Sequence, residues 1–162
     1  MSDLNGKTAL VTGASGGIGG AIARALHARK ATVALSGTRT AALQALADDL
    51  QERVHVIACD LAEPEGAEAL LRDAAAAMDG VDILINNVGF ATYGPFLSLS
   101  DEDLRNTFDY CVTSAFIMSQ LAVPHMLAVG RGSIVNISSG AGRFGIRGLL
   151  PYSVAKGGLE SL

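Results

Sequence analysis

Short apolar runs rich in β-branched residues alternate along the chain with longer stretches rich in alanine and leucine. The apolar runs predict five strands, over residues 7–12, 31–36, 53–58, 81–86 and 132–137. The intervening stretches predict helices over 17–29, 40–51 and 64–78, a long helix from about 101 and another from near 152. Because alternating strands and helices form βαβ units, the sequence predicts an α/β fold with a parallel sheet covered on both faces.

Two of the helix starts carry local signals. Pro64 suits the first turn of its helix, and Ser100 is placed to cap the long helix, with Asp103 reaching back to it. The sequence shows no internal linker, repeat or low-complexity segment. Residues 1–162 are therefore expected to form a single domain.

Composition narrows the class of protein. The 162 residues are 49% hydrophobic and 17% charged, which is typical of a folded soluble domain. The net charge of −4 argues against a nucleic-acid partner, whose phosphates need a basic patch. Two cysteines, Cys59 and Cys111, indicate reduced thiols rather than a disulfide scaffold. Since the N-terminus carries acid early and has no signal-type apolar stretch, we expect a cytoplasmic location.

One segment resembles a membrane span in its lack of charge. Residues 110–130 contain no Asp, Glu, Lys or Arg, and a spanning helix needs about 20 apolar residues. The run also contains several polar or helix-perturbing residues: Thr113, Ser114, Ser119, Gln120, Pro124 and His125. We therefore expect no membrane partner, and a helix buried on most sides by the sheet and by a partner subunit.

The first strand leads into the glycine-rich stretch TGASGGIGGAIARAL. Gly13, Gly17 and Gly19 fall where the strand turns into the first helix, and glycine lets a backbone approach a pyrophosphate. The helix N-terminus adds free N–H groups and the positive end of the helix dipole. A tight glycine-rich turn without a ligand is the alternative. The position directly after the first strand favours dinucleotide binding.

The second strand ends in SGTR, where an NAD-binding unit usually has an acidic residue that grips the adenosine ribose. No acid is present here. Gly37 leaves room, while Ser36, Thr38 and Arg39 offer donors suited to a 2′-phosphate. The segment favours NADP(H), with NAD(H) as the second choice, and an ordinary polar turn is the alternative.

The third and fourth strands end in polar residues at the edge where open α/β sheets bind ligands. Asp60 follows the third strand and is expected either to contact adenine or to cap the next turn. Asn87 and Gly89 follow the fourth strand. We expect Asn87 to brace neighbouring loops and Gly89 to lie beneath a cofactor.

A serine, a tyrosine and a lysine follow the fifth strand. Ser139 lies thirteen residues before Tyr152 and can hydrogen-bond a substrate oxygen. Tyr152 and Lys156 are one helical turn apart and share a helix face. The Lys156 ammonium and an oxidised nicotinamide both favour the phenolate, which suits Tyr152 for acid–base work. For Tyr152 and Lys156 taken alone, a surface helix pair is the alternative.

The chain contains four motifs in this order: TGASGGIG, NNVG, NISS and YSVAK. In these motifs, their order and their spacing, the whole chain resembles the short-chain dehydrogenase/reductase family. The glycine loop and VALSGTR are similar to those of bacterial β-ketoacyl-acyl-carrier-protein reductases, which use NADPH. The resemblance implies a Rossmann-type doubly wound sheet and hydride transfer between nicotinamide and a ketone or secondary alcohol. Tyr152 would be the acid–base, Lys156 would hold the nicotinamide ribose, and Ser139 would orient the substrate. The implied cofactor-binding residues are Gly13, Ser15, Gly17, Ile18, Gly19, Ser36, Thr38, Arg39, Asp60, Leu61, Asn87, Gly89, Tyr152 and Lys156, and no metal is implied.

Three residues depart from the family pattern. Cys111 stands where the family usually has a catalytic asparagine that helps to hold a proton-relay water, and a thiol is a weak hydrogen-bonding group. Val88 replaces the usual alanine of NNAG and adds bulk near the cofactor. Lys30 stands where a glycine normally ends the first helix, so local strain or a different cap is expected.

Length is the fourth departure. The family continues with a further strand, a nicotinamide-contacting loop and a substrate lid, so the resemblance implies that C-terminal strands and the lid are missing and that the fifth strand is a sheet edge. Two hypotheses follow: an NADP(H)-dependent oxidoreductase, or a truncated, catalytically inactive dinucleotide-binding fragment. A methyltransferase-type domain that binds S-adenosylmethionine ranks far behind, because it does not explain Ser139, Tyr152 and Lys156 together.

The expected partner is a small carbonyl or alcohol substrate. We assign its specificity to the loops 90–98 and 143–150, together with the missing lid. Apolar residues in these loops indicate an apolar substrate or ordinary core packing: Phe96, Phe144, Leu149 and Leu150. Family members are usually dimers or tetramers built from the long helix and the tyrosine helix, so a homo-oligomer is expected for the complete protein.

Overall fold

The computed structural model describes residues 3–63 and 65–162. Within these residues, five strands form one parallel sheet in the order β3–β2–β1–β4–β5. The strands are β1 (Thr8–Val11), β2 (Thr32–Gly37), β3 (Val54–Ala58), β4 (Ile83–Asn86) and β5 (Ser133–Asn136). The strand order reverses between β1 and β4, which gives the doubly wound, Rossmann-type α/β sheet that was predicted. β5 is an edge strand, as expected.

Helices connect the strands and cover the sheet. They are α1 (Gly17–His27), α2 (Thr40–Leu50), α3 (Gly66–Met78), α4 (Asp101–Phe108), α5 (Ser114–Ala128), α6 (Gly140–Phe144) and α7 (Leu150–Glu160). A 3-10 turn (Phe96–Ser98) precedes α4, and a π-helical turn (Asp109–Thr113) joins α4 to α5. Every predicted strand and helix is present, whereas α6 and these two turns were not predicted. The predicted first-turn position of Pro64 lies outside the described residues.

Alternate residues of the central strands supply two apolar clusters, one on each face of the sheet. Leu10 and Leu84 pack on one face with Met118 of α5. Val11 packs on the other face with Leu43 of α2. Strand β1 is therefore held between two apolar layers, and the loop that follows it starts from a fixed point.

Asp82 ties together the strand ends that lie opposite the predicted ligand-binding edge. Its carboxylate accepts from the Thr8 backbone N–H at 3.2 Å and from the Arg131 Nε at 3.0 Å, and lies 3.6 Å from the Lys7 ammonium. Burial acts to raise the pKa of Asp82, but the Arg131 and Thr8 hydrogen bonds and the Lys7 charge outweigh it and hold the pKa below its usual value. These contacts connect the starts of β1, β4 and β5.

The long helix buries one face only. Asp101–Ala128 is long and apolar enough to cross a membrane by length and composition, and 33% of its most apolar window is buried. Core helices of soluble proteins pass the same test. Met118 and Met126 face the core, whereas Phe116 and Leu127 are exposed. The sheet therefore covers one face of the helix, and the prediction that a partner subunit covers the others stays a prediction.

The long helix begins as predicted. The Asp103 backbone N–H donates to the Ser100 hydroxyl oxygen at 3.1 Å, and the Ser100 backbone N–H donates to the Asp103 carboxylate at 2.9 Å. This reciprocal pair is a capping box. It satisfies two backbone donors that the first turn of a helix would otherwise leave without partners.

Lys30 adopts the strained backbone conformation that its position suggested. Its φ is 73°, in the left-handed region. The turn is closed by the Lys30 N–H, which donates to the His27 carbonyl at 2.8 Å, and by the Ala31 N–H, which donates to the Leu26 carbonyl at 3.2 Å. A residue with a Cβ is disfavoured there by roughly 1–2 kcal/mol. The Lys30 ammonium also lies 3.1 Å from the Asp3 carboxylate on the exposed surface.

Replacing Lys30 with glycine should raise the free energy of unfolding by about 1 kcal/mol, because glycine adopts this φ without strain. The matched control is Lys30→Ala, which removes the Asp3 ion pair but keeps the Cβ, and it should be no more stable than the wild type. Denaturant unfolding of the three proteins measures both effects. A glycine variant no more stable than the alanine variant would contradict the assigned strain.

Candidate active site

The loop between β1 and α1 brings backbone N–H groups to the ligand-binding edge of the sheet. Gly13 has a φ of 63°, and the Ala14 N–H donates to the Ser36 carbonyl at 2.8 Å, which ties the loop to β2. Helix α1 then starts with Gly16 as its N-cap, without a side-chain cap and without an acidic residue in its first turn. The first-turn N–H groups and the positive end of the dipole are therefore available to an anion.

Close packing requires glycine at positions 13 and 19 of this loop, but it does not explain the glycine at position 17. A Cβ on Gly19 would lie 2.4 Å from the Gly13 carbonyl oxygen, and one on Gly13 would lie 2.9 Å from the Asn87 side-chain nitrogen. Within the described residues, and apart from its chain neighbours and the backbone of its own helix, no atom lies within 4 Å of a Cβ placed on Gly17, whose φ is outside the left-handed region. Neither packing nor backbone geometry therefore demands glycine at position 17.

Hydrogen bonds from Asn87 and Thr12 lock the loops after β4 and β1 together. The Asn87 side-chain amide donates to the carbonyls of Thr12 at 3.0 Å and Gly13 at 3.2 Å. The backbone N–H groups of Asn87 and Val88 donate to the Thr12 hydroxyl oxygen at 3.0 and 3.4 Å, and that hydroxyl donates to the Ile85 carbonyl at 3.1 Å. The bracing contacts expected of Asn87 are present.

An open cleft of about 610 Å³ runs along these loops, and we name it the loop cleft. Ser36, however, is 1% exposed inside β2, so the prediction that its hydroxyl reaches a ligand is wrong. The strand continues to Gly37, one residue beyond its predicted end, which keeps Ser36 within the packed sheet. The lining contains the other predicted residues of this region: Gly13, Ser15, Gly17, Ile18, Gly19, Thr38, Arg39, Asp60, Leu61, Asn87 and Gly89.

Two charged residues at the rim of the loop cleft have protein partners. The Arg39 guanidinium donates to the Ser15 carbonyl, which folds the side chain over the glycine loop. The Asp60 carboxylate accepts from the Ala62 N–H at 3.0 Å. Of the two roles weighed for Asp60, the turn cap is therefore present, and the side chain also lines the cleft.

Two aromatic residues line the loop cleft that were not predicted to contact a cofactor. The rings of Phe90 and Tyr110 pack with their centroids 5.7 Å apart and at 43°, and both line the cleft. Burial raises the pKa of Tyr110, and the charge of Asp60 and its hydrogen bond act in the same direction. Their positions in the sequence were the available indication that they lie at the site, since Phe90 directly follows NNVG and Tyr110 directly precedes Cys111.

A smaller cleft of about 240 Å³ holds the tyrosine and the lysine, and we name it the tyrosine cleft. Tyr152 and Lys156 both lie on α7, four residues apart, as predicted. The wall also includes Ala91, Ile137 and Ser138. The two clefts form one continuous surface, because they share four lining residues: Ile18, Asn87, Gly89 and Phe90.

Lys156 is a buried ammonium with one backbone partner. It is 2% exposed, and its Nζ donates to the Ile137 carbonyl at 2.7 Å. The same nitrogen lies 5.7 Å from the centroid of the Tyr152 ring. Burial lowers the pKa of Lys156 from its ordinary value. A positive charge is thus held next to the tyrosine at an energetic cost.

The two serines after β5 have different contacts. Ser139 caps α6, where its Oγ accepts from the Ala141 N–H at 3.2 Å. Ser138, which was not predicted, lines the tyrosine cleft and donates to the Glu160 carboxylate at 2.8 Å. Ser138 therefore attaches the loop after β5 to the end of α7. Among the described residues, the lining of the tyrosine cleft includes Ser138 and not Ser139.

Cys111 lies in the π-helical turn and is buried. Its thiol donates to the Phe90 carbonyl at 3.5 Å. A Cβ on Gly89 would lie 3.8 Å from the Cys111 sulfur and 3.5 Å from the Lys156 nitrogen. The absence of a side chain at Gly89 therefore leaves a space that Cys111 and Lys156 both border. Turns of this kind are frequent at functional sites.

The cysteines lie apart and are both free thiols. Cys59 donates to the Gly66 carbonyl at 3.2 Å, and burial raises the pKa of its thiol. Over residues 3–63 and 65–162, no group of three or more His, Cys, Asp or Glu side chains is arranged to hold a metal ion.

A third cleft, of about 840 Å³, lies between the two predicted specificity loops, and we name it the outer cleft. The Gly94 N–H donates to the Gly148 carbonyl at 3.0 Å and joins the loops. Of the predicted apolar residues, Phe96 and Leu150 line the cleft, whereas Phe144 and Leu149 are not in its described wall. The lining is Tyr93, Gly94, Pro95, Phe96, Gly145, Ile146, Arg147, Gly148, Leu150 and Ser153.

A doubly wound sheet with a glycine loop before α1 and with clefts along the carboxyl ends of its strands defines a Rossmann-type domain. Residues 7–162 match the family model described as short chain dehydrogenase. The chain therefore belongs to the short-chain dehydrogenase/reductase family, which is a family of oxidoreductases.

Relatives of known sequence or structure support this assignment. The chain is 41% identical to Nodulation protein G of Rhizobium meliloti and 37% identical to the 3-oxoacyl-(acyl-carrier-protein) reductase FabG of Rickettsia bellii, in both cases over 98% of its length. It spans 65% and 64% of those proteins. It is also similar to a solved short-chain dehydrogenase from Streptomyces avermitilis, with a TM-score of 0.91 and 36% identity over 99% of this chain and 59% of that one. The predicted family and fold are confirmed.

Replacing Lys156 with methionine should make the chain more stable at pH 7 and should change how stability depends on pH. Because the pKa of Lys156 is lower in the folded state, the unfolded chain binds more protons between the folded and unfolded pKa values, and wild-type stability rises with pH there. Each pKa unit corresponds to about 1.4 kcal/mol. The advantage of the variant should therefore shrink as the pH approaches the ordinary lysine value. Denaturant unfolding from pH 7 to 10 measures the difference, and a difference independent of pH would contradict the buried ammonium.

Proposed function

We propose that the chain is the cofactor-binding and catalytic region of an NADP(H)-dependent oxidoreductase that transfers a hydride between nicotinamide and a ketone or secondary alcohol. The continuity of the loop cleft with the tyrosine cleft carries this proposal. A dinucleotide is an extended ligand with an anionic middle. One surface that starts at an uncapped helix N-terminus and ends at a buried ammonium suits the charge of such a ligand.

The residues of the loop cleft fit the pyrophosphate of the cofactor. Gly17 needs no glycine for packing or for backbone geometry, and the approach of a ligand explains its missing side chain. The alternative of a glycine-rich turn without a ligand leaves this residue unexplained. The first turn of α1 also lacks acidic residues, so nothing there repels an anion.

The rim of the loop cleft favours NADP(H) over NAD(H). Gly37 ends β2 at the place where NAD-binding domains usually have an acidic residue. Thr38 and Arg39 line the cleft beside it and offer donors to a 2′-phosphate. Arg39 already lies over the glycine loop through the Ser15 carbonyl, so its charge is close to the expected phosphate.

The residues of the tyrosine cleft take distinct roles in the proposed reaction. When bound, the nicotinamide supplies or accepts the hydride. Tyr152 moves the proton between its Oη and the substrate oxygen. We assign the hydrogen-bond donor to that oxygen to Ser139, which caps α6 next to Ser138 and lies just outside the described wall of the cleft. Lys156, fixed to the Ile137 carbonyl, places a positive charge near the Tyr152 ring. Cys111 replaces the family asparagine, and we expect a weaker proton relay because a thiol hydrogen-bonds weakly.

An inactive dinucleotide-binding fragment is the second candidate function. The exposed edge of β5, where Val135 is 41% exposed, is the observation that favours it, because a nicotinamide bound beside an open sheet edge would be accessible to water. Turnover by the 162-residue chain distinguishes the two candidates.

We expect the protein to act on a small carbonyl or alcohol substrate, to form a homo-oligomer and to be located in the cytoplasm. Exposed apolar side chains on α5 and α7 support self-association: Phe116 and Leu127 on the first helix and Val154 on the second. The net charge of −4 offers no general attraction to nucleic acid.

Replacing Gly37 with aspartate should weaken NADPH binding on the order of 100-fold and shift the preference toward NADH. The new carboxylate repels a 2′-phosphate and suits a free ribose hydroxyl. A Cβ at this position lies 2.9 Å from the Ser15 hydroxyl oxygen, which must rotate away. Gly37→Ala has the same Cβ without the charge and is the matched control. Calorimetric titration with both nucleotides gives the ratio of the NADPH and NADH affinities. Equal ratios in the Asp and Ala variants would contradict the proposal that the rim of the loop cleft selects NADP(H).

Replacing Tyr152 with phenylalanine should lower turnover by a factor of about 10² to 10⁴, the usual contribution of general acid–base catalysis. NADPH binding should be nearly unchanged, because the hydroxyl acts on the substrate. The measurement is NADPH oxidation with a panel of ketones and aldehydes, together with NADPH calorimetry on the same samples. Full activity of the variant would refute the role of Tyr152. Binding without turnover by the wild type would instead favour the inactive fragment.

A further inference from the structure

The outer cleft combines apolar side chains with a single positive charge. Tyr93 and Phe96 from one loop, and Ile146 and Leu150 from the other side, are all exposed large apolar residues in its wall. Arg147 is the only charged residue in the described lining. The volume of about 840 Å³ lies within the range of small-molecule sites. A ligand there meets apolar surface and one guanidinium.

The guanidinium of Arg147 has no ionic partner among the residues that the structure describes. Within the described residues, no carboxylate oxygen lies within 4.0 Å of it. Its neighbour Arg143, by contrast, lies 3.4 Å from the Glu160 carboxylate and outside the cleft. The planar guanidinium fork matches the two oxygens of a carboxylate. The described wall of the outer cleft therefore contains no carboxylate that could pair with the Arg147 guanidinium.

The backbone on both sides of Arg147 is anchored. The Ile146 N–H donates to the Ser153 hydroxyl oxygen at 3.2 Å, which ties the loop to α7. Gly148 adopts a left-handed φ of 82° and packs so closely on the Tyr93 ring that a Cβ would lie 2.6 Å from it. Arg147 thus projects from a short segment fixed at both ends, and the cleft opens on the same helix that carries Tyr152.

We propose that the outer cleft binds a carbonyl substrate that has an apolar chain and a carboxylate, and that Arg147 selects the carboxylate. This substrate class rests on the reductase function proposed above. The apolar walls take the chain, and one guanidinium without a second cation suits a singly charged carboxylate better than a phosphate dianion. The exposed position of Arg147 limits its contribution, because ion pairs in water are weak.

The test compares octanoate with its uncharged isostere octanamide, each titrated by calorimetry into the 162-residue chain without nucleotide. The wild type should bind octanoate about fivefold more tightly, as expected for one exposed ion pair. Arg147→Gln should bind both probes equally, and Arg147→Lys should keep part of the preference. Arg143→Gln removes the same charge from the same loop and should keep the full preference. Raising the salt to 0.5 M should reduce the wild-type preference through screening, by a factor of about two.

Equal binding of the two probes by the wild type, no binding of either, or an unchanged preference in Arg147→Gln would each overturn the proposal. Octyl phosphate binding more tightly than octanoate would also overturn it, because a phosphate would then be the preferred anion. An NADPH titration on the same sample separates this test from the previous ones. If the wild type binds NADPH but binds octanoate and octanamide equally, only the assignment of a carboxylate substrate is refuted. If the wild type does not bind NADPH, the proposed reductase function is contradicted as well.

Discussion

The hydrogen bonds of the Asn87 side chain to the loop after β1 are the contacts on which the site depends. Strands β1 and β4 are neighbours at the point where the sheet reverses its order, and a crevice opens between the loops that follow them. The Asn87 amide fixes the width of that crevice by holding the carbonyls of Thr12 and Gly13. Gly19 then packs against Gly13 at a distance that no side chain would allow. Both the loop cleft and the tyrosine cleft use this crevice as their common wall.

The tyrosine cleft illustrates how a packed fold can maintain an unfavourable group. A buried ammonium is destabilising, and among the described residues the Ile137 carbonyl is the one hydrogen-bond acceptor for the three donors of Lys156. The apolar layers on both faces of the sheet supply the opposing stability. Helix α7 is in turn attached through the contact from Ser138 to Glu160, so the lysine cannot easily move toward water. The position of the charge is therefore a property of the sheet and of the helix together.

Much of the fold and part of the site could be predicted because their signals are local. The alternation of strands and helices, the glycine loop and the pair of Tyr152 and Lys156 are each contained in a short stretch of sequence. The contact of Phe90 with Tyr110 and that of Ser138 with Glu160 could not be predicted, since each joins residues about 20 positions apart. The prediction for Ser36 was wrong because pairing of β2 with β3 continues to Gly37, so that Ser36 is no longer the strand end and its side chain is buried.

The four residues shared by the two clefts have a consequence for protein engineering. Ile18, Asn87, Gly89 and Phe90 border both halves of the surface, so a substitution at any of them alters both halves at once. Residues that border one cleft alone, such as Thr38 in the loop cleft and Ser138 in the tyrosine cleft, can be varied with separate effects. A combinatorial library divided along this line would have two nearly independent blocks, whose effects on binding free energy should add.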